Sequence, residues 1–499
     1  MRRSFKRRGF VIVAVLVAGI SGLWVATSLL FLAQSDVRSA EVTMARTRNR
    51  SLGLSGLRML SDVLVEQREK ILLGDSPTIE PQYSLWDEGN REAVVRLIPF
   101  GPGGERLIAE AGRLDVNHAT VEQLSRLNML DSGQARAIVD AREASPTGKF
   151  HSLHELLMID GIDAADLFGD LAEEDSMDQV NGQEVDLAER VARRLAVPEA
   201  RGLIDVLTIF GFEPNLQQNG RRRIDLNVPW SEELARRITE RFGEGAAAAL
   251  ESVFEETAFD DDARIVEVLR RFQVPARDWM EPLDALTTRP EVHVSGRLDL
   301  NTASVDVLET LPGLDRAKAD RLVAERESLD REERGSIAWP LLRDVVSDET
   351  FEEISSLVTV RSWTWRVRIA AGMVAADDPE GPIDQAVVYE AVIDLADPQP
   401  RIGYLREITL LQTVSRLAAA LEGERVDEES AVAAFEENLP LDDFSMNEID
   451  DMAISSLDDL NNDFELDDEF PEEPADPNQS PQPDEVEETP SGRIGRWRP

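Results

Sequence analysis

The sequence predicts an α+β fold: one long N-terminal helix, an antiparallel β-sheet assembled from two separated stretches of chain, and a large all-α domain inserted between them. Three observations carry this. Residues 10–33 are apolar and uncharged and follow a basic start. Strand-like alternation occurs at 93–98 and again at 363–411. Between those stretches the chain turns to helical periodicity around an internal repeat.

Arg2, Arg3, Lys6, Arg7 and Arg8 precede the apolar run. As a helix the run is about 36 Å long, enough to cross a hydrocarbon core of about 30 Å. The basic flank predicts a single-pass topology with the N-terminus in the cytoplasm and the bulk of the chain exported. The run is longer than the apolar core of an ordinary cleaved signal. A permanent signal anchor fits it, and so does a short basic leader cut after Gly9. Beyond the membrane, Leu57, Leu60, Leu64 and Ile71 share one helical face, Gly74 supplies a stop and Pro77 follows. Residues 10–74 are therefore expected to form one helix, half in lipid and half amphipathic.

The run Ala93-Val94-Val95-Arg96-Leu97-Ile98, the turn cluster Gly101-Pro102-Gly103-Gly104 and the stretch 105–114 read as a β-hairpin over 92–114. Residues 115–355 are rich in Ala, Leu, Glu and Arg. Here 115–143 and 299–327 align without gaps, with twelve of 29 positions identical, and Asp225-Leu226-Asn227 repeats the opening once more. Each opening is followed by a hydroxyl and an acidic first turn: Thr120 with Glu122, Ser231 with Glu232, Ser304 with Asp306. That is N-cap chemistry, and Thr120 with Gln123 has capping-box spacing. Over 356–412 the period becomes two, with Trp363, Trp365, Val367 and Ile369 alternating with Thr364, Arg366 and Arg368. Two further strands at 386–395 and 402–411 complete a meander with one apolar face.

Composition bounds the chemistry. The 499 residues carry a net charge of −44 and no cysteine. Disulfides, thiolate metal sites and cysteine nucleophiles are excluded, and so acidic a chain is a poor generic partner for a polyanion. Residues 422–490 hold 26 acidic residues and one basic one, Arg425. Residues 422–499 are therefore expected to be a disordered tail. The histidines are His118, His151, His154 and His293. His151 and His154 are placed to share a helix face, but two ligands do not make a transition-metal site. Glu173-Glu174-Asp175 and Asp260-Asp261-Asp262 offer carboxylates for calcium, although a solvated face or loop accounts for them better. No cofactor is implied, and no catalytic motif points to an enzyme.

The repeat resembles a helix-hairpin-helix module of the kind found in ComEA-type DNA receptors. In such modules a Leu-Pro-Gly-Ile-Gly hairpin offers backbone N–H groups to a DNA phosphate. Here the hairpins are 127–131, 159–163 and 311–315. Gly161 and Gly313 keep the first glycine, but Asp131, Asp163 and Asp315 stand where the second belongs. A carboxylate there repels phosphate, so the resemblance implies the module's shape without DNA binding.

The order of parts resembles the minor pseudopilin K family of type II secretion (general secretion pathway protein K). Those parts are a basic leader ending in Gly9, a long helix, a short hairpin ending Gly112-Arg113-Leu114-Asp115-Val116-Asn117, an inserted helical domain, and a meander beginning Thr359-Val360-Arg361-Ser362. The resemblance implies cleavage at Gly9–Phe10 by a prepilin peptidase. It also implies a pilin-like fold, an inner-membrane site with a periplasmic head, and assembly with minor pseudopilins I and J through the small residues Ala14, Ala18, Gly19 and Gly22. Ala14 occupies the fifth mature position, where most pilins carry glutamate. An unpaired carboxylate is costly in lipid, and a subunit at the fibre tip has no neighbour above to pair with. The acidic tail and the absence of cysteines from the meander depart from the family pattern, and no calcium ligands carry over. A membrane-anchored DNA-uptake receptor and an uncleaved bitopic scaffold remain the alternatives.

Overall fold

The structure, a computed structural model, describes residues 7–100, 104–169, 202–255 and 258–409. It mixes helix and strand, with a long N-terminal helix and an antiparallel sheet. Helix α1 (Arg7–Val65) runs for 59 residues, about 90 Å at 1.5 Å per residue. One candidate membrane span lies within it, and the apolar window of that span is bare of any covering chain. The acidic tail expected at 422–499 lies outside the described residues, as does the triplet Glu173-Glu174-Asp175.

The outer part of α1 packs on the sheet. The sheet holds β1 (Gln82–Asp87), β2 (Arg91–Leu97), β3 (Leu107–Ala109), β4 (Thr364–Ala375), β5 (Asp384–Asp394) and β6 (Arg401–Glu407), in the order β1-β2-β4-β5-β6 with β3 also on β4. Leu52, Leu57, Leu60 and Leu64 are buried against Val95, Val367, Ile369, Ala391 and Ile393. Gly53 and Gly56 set the approach distance, because a methyl group at either would collide with Tyr389 or Val95.

Three expectations need correction. The helix does not continue unbroken to residue 74. It ends at Val65, and a second short helix, α2 (Arg68–Leu72), follows. At the break Gln67 accepts the Thr78 N–H at 2.9 Å. Arg68 then donates to the carbonyls of Leu395, Ala396 and Asp397 and lies 4.7 Å over the Trp363 ring. The turn exchanges one helical hydrogen-bond cycle for a lock on the end of β5. Gly74 does close the segment, with φ +80°.

The hairpin is also paired differently. β2 pairs with β1, across a turn that contains Gly89 at φ +85°, and not with the 105–114 stretch. β2 and β3 lie end to end along one edge of β4, opposite 369–375 and 365–367. The 12-residue β4 is long enough to give each its own ladder, which satisfies more backbone groups than pairing β2 with the three-residue β3. Finally, the face of the meander opposite α1 is not solvated. Thr364 and Arg366 are buried there, beneath the domain that joins β3 to β4.

That inserted domain is built from three equivalent clasps. Leu114–Asp115 pairs in parallel with Leu207–Thr208, Ile224–Asp225 with Leu286–Thr287, and Leu298–Asp299 with Val358–Thr359. In each, the aspartate Oδ1 accepts the N–H of the asparagine two residues on: Asn117 at 2.9 Å, Asn227 at 2.8 Å and Asn301 at 2.9 Å. In each, the closing threonine Oγ1 accepts the N–H two residues on, from Phe210, Arg289 and Arg361. These side-chain turns satisfy backbone groups where the chain leaves its short strands.

Candidate functional site: the helix-hairpin-helix module and the exposed helix

The opening Asp115-Val116-Asn117 leads into helix Val121–Ser125, where Thr120 and Gln123 form the expected capping box. Ser231 caps its helix through the Leu234 N–H. Ser304 holds the N-cap position but makes no side-chain cap bond. Arg142 donates to the carbonyls of Val116 and Ala119 and closes the module on itself. Its counterpart Arg326 donates to Ala303.

The three hairpin aspartates share one role. Asp131 Oδ1 accepts from Gly133 N at 2.7 Å and Gln134 N at 2.8 Å. Asp163 Oδ1 accepts from Ala165 N at 2.7 Å and Asp166 N at 3.0 Å. Asp315 Oδ1 accepts from Lys318 N at 2.9 Å. Each is the N-cap of the second helix of its hairpin. The N–H groups that a DNA-binding hairpin presents to phosphate are thus already bonded to the chain's own carboxylates. Gly161 and Gly313 take φ +90° and +68° at the hairpin turns. Gln134 donates to Gly161 O at 2.7 Å and links the first two hairpins. Arg126 reaches Leu311 O and links the first to the third.

The carboxylate and histidine groups diverge. Asp260 faces Arg264, Asp261 accepts the Ala263 N–H, and Asp262 is buried between Arg297 and Thr288. Burial opposes ionisation of Asp262, but Arg297 and the Thr288 hydrogen bonds outweigh it and hold its carboxyl below the ordinary value. Three carboxylates spent on separate partners cannot converge on calcium, so that candidate site is withdrawn. Among the described residues no group of three or more His, Asp and Glu is set to hold a metal. His151 and His154 do not share a ligand face: His151 meets Thr147 at 3.1 Å, whereas His154 turns to Arg406 at 3.2 Å.

The module is seated on the sheet by charges that the sequence did not reveal. Glu110, fully buried, meets Arg366 at 2.6 Å and accepts from Thr208, the first closing threonine. Arg366 also bonds Glu390 at 2.7 Å, and Arg368 bonds the other oxygen of Glu390 at 2.7 Å. Burial pushes the Glu390 carboxyl up, but Arg368 and Arg366 prevail and hold it down at about 2. Burial opposes Glu110 in the same way, and Arg366 and Arg113 keep it below the ordinary range. Burial lowers Arg113 to about 10. A second cluster inside the domain joins Arg297 to Glu213 at 3.0 Å and Arg361 to Asp284.

A polar cleft of about 490 Å³ separates the 74–78 loop from the third repeat. It is bridged by Asn301 donating to Gly74 O at 3.1 Å and by Arg334 with Asp75 at 3.2 Å.

Gly9, Phe10, Ala14, Ala18, Gly19 and Gly22 all fall on α1. Ala14, Ala18 and Gly22 are four residues apart and so fall on one face. Beyond the adjoining residues and the helix's own backbone, no atom lies within 4 Å of where a Cβ would stand at Gly19 or Gly22. Trp24 is 73% and Phe31 64% exposed. Nothing in the described chain covers the helix over residues 19–35.

No curated protein matches the chain. A family model does match part of it: residues 110–168, from the buried Glu110 through the second hairpin, match the helix-hairpin-helix motif.

Proposed function

We propose that the chain is a minor pseudopilin that sits at the tip of a type II secretion pseudopilus and takes part in protein export. The observation that carries this is the division of α1. Its outer part is buried on one antiparallel sheet, while the apolar stretch 19–33 is bare and presents Gly19 and Gly22 to whatever lies beside it. The insertion of a wide helical domain between β3 and β4 supports a terminal position, since a head of that width hinders stacking of further copies.

On this reading a prepilin peptidase removes residues 1–9 and leaves Phe10 first. The freed helix stays in the inner membrane with the head in the periplasm. It packs through Ala14, Ala18, Gly19 and Gly22 against minor pseudopilins I and J. The role is assembly, with no catalysis. Mass spectrometry of the mature N-terminus tests it. Wild type is expected to begin at a methylated Phe10, and Gly9→Val to retain the leader. A chain that keeps Met1 or Arg2 in cells would instead establish the uncleaved bitopic scaffold.

The helix-hairpin-helix match favours one second reading, a membrane-anchored DNA-uptake receptor. It predicts salt-sensitive binding of duplex DNA by the full chain in detergent. The capped hairpins weigh against it, and absence of a gel shift at low salt would remove it.

A further inference from the structure

All four histidines belong to the inserted domain, and two of them grip the β5–β6 hairpin of the sheet. At one end His154 Nε2 lies 3.2 Å from Arg406 Nη1, and its Nδ1 lies 3.2 Å from Ser152 Oγ. At the other end His293 Nε2 lies 3.4 Å from Asp397 Oδ1, in the turn before β6. The two contacts are separated by about 17 Å of β6. A guanidinium only donates hydrogen bonds, so the first contact needs a neutral imidazole with its Nε2 lone pair free.

We propose that His154 is a proton-operated latch between the helix-hairpin-helix domain and the sheet, with its Arg406 contact closed at neutral pH and released on acidification.

The surroundings fit. His154 faces Arg406 from β6, which also bonds Tyr404, together with Glu390 from β5 and the Phe168 ring at 5.8 Å from its own domain. Burial first, and Arg406 second, lower its pKa from the ordinary value, with Glu390 opposing. A histidine depressed in the folded state stabilises the contact fully above the ordinary value near 6.5. That contribution is lost as pH falls through the lower folded value. His293 faces Asp397 and Asp394 at the end of β5, with Phe212 edge-on at 6.2 Å, and Asp397 is shared with Arg401 at 2.8 Å. The inference does not depend on the pseudopilin reading, only on the seating of the domain on the sheet.

The chain has no cysteine, so spin labels can be placed singly. In the full chain, Met158→Cys with Leu405→Cys reports the first end, and Val292→Cys with Ile402→Cys the second. All four positions are exposed. Between about pH 7.5 and about pH 5, the first electron–electron distance is expected to lengthen. His154→Gln, which accepts from Arg406 at every pH, should abolish the first change. The second pair, remote from His154, reads whether the opening is confined to the Arg406 end. An unchanged first distance in the parent chain, or a first change that persists in His154→Gln, overturns the latch. Far-UV circular dichroism of each variant at both pH values distinguishes local opening from unfolding.

Discussion

Strand β4 has two faces that solve burial in different ways. Trp365, Val367, Ile369, Ala371 and Met373 enter an apolar core under α1. The alternate residues Thr364 and Arg366 are equally enclosed, yet they meet Glu110, Glu390 and the carbonyl of Phe210. The apolar face gains from every methylene removed from water and tolerates imperfect fit. The ionic face gains little net free energy, but it penalises any partner that is missing. The contrast separates adhesion from address: one face holds the rod to the sheet, and the other fixes where the inserted domain must sit.

The largest expected effect comes from breaking the ionic face. Arg366→Met takes an arginine from each of two buried carboxylates, leaving Glu110 with Arg113 and Glu390 with Arg368, and should cost about 3–5 kcal/mol in urea denaturation of the detergent-solubilised chain. If the loss is under about 1 kcal/mol, the cluster is not the address it is argued to be. On the apolar face Leu60→Ala should cost about 3 kcal/mol. The two variants should part on acidification. Glu390 contributes stability that is present above the ordinary carboxylate value and lost as pH falls through about 2. The deficit of Arg366→Met relative to wild type should therefore shrink in acid, while that of Leu60→Ala stays constant. Gly56→Ala, which forces Val95 away from the helix, should cost about 1–3 kcal/mol. Asp131→Ala removes one cap and should cost about 1 kcal/mol. Leaving the hairpin N–H groups free, it is also the variant in which any phosphate affinity of the module should first become measurable.

The sequence exposed the apolar face and concealed the ionic one. Trp363 to Ile369 alternate so regularly that the strand and its core side were legible, and Leu57, Leu60 and Leu64 were legible as a helical stripe. Arg366 and Arg368 in the same alternation read as solvent-facing, because nothing local distinguishes an arginine facing water from one facing Glu110 some 250 residues earlier. The Asp-x-Asn openings were visible as a repeat. Their closing partners, Leu207-Thr208, Leu286-Thr287 and Val358-Thr359, were missed because two-residue strands carry no period. A recurring apolar-Thr pair following a short helical run was the signal that could have found them. β1 was missed for a similar reason: Gln82, Ser84 and Asp87 dilute its pattern. The hairpin aspartates were recognised as out of place, but their role as caps emerged only from the backbone geometry around them.

Ala109 and Trp365 stand opposite each other on neighbouring strands, although 255 intervening residues separate them in the chain. The helical domain thus leaves and rejoins its host at a single doorway, one strand spacing wide. Such a graft can grow, shrink or be exchanged without redrawing the sheet, and a short turn would span the gap if it were excised. The platform and its cargo are free to diverge at different rates, provided that whatever is fitted there still offers a carboxylate to Arg366.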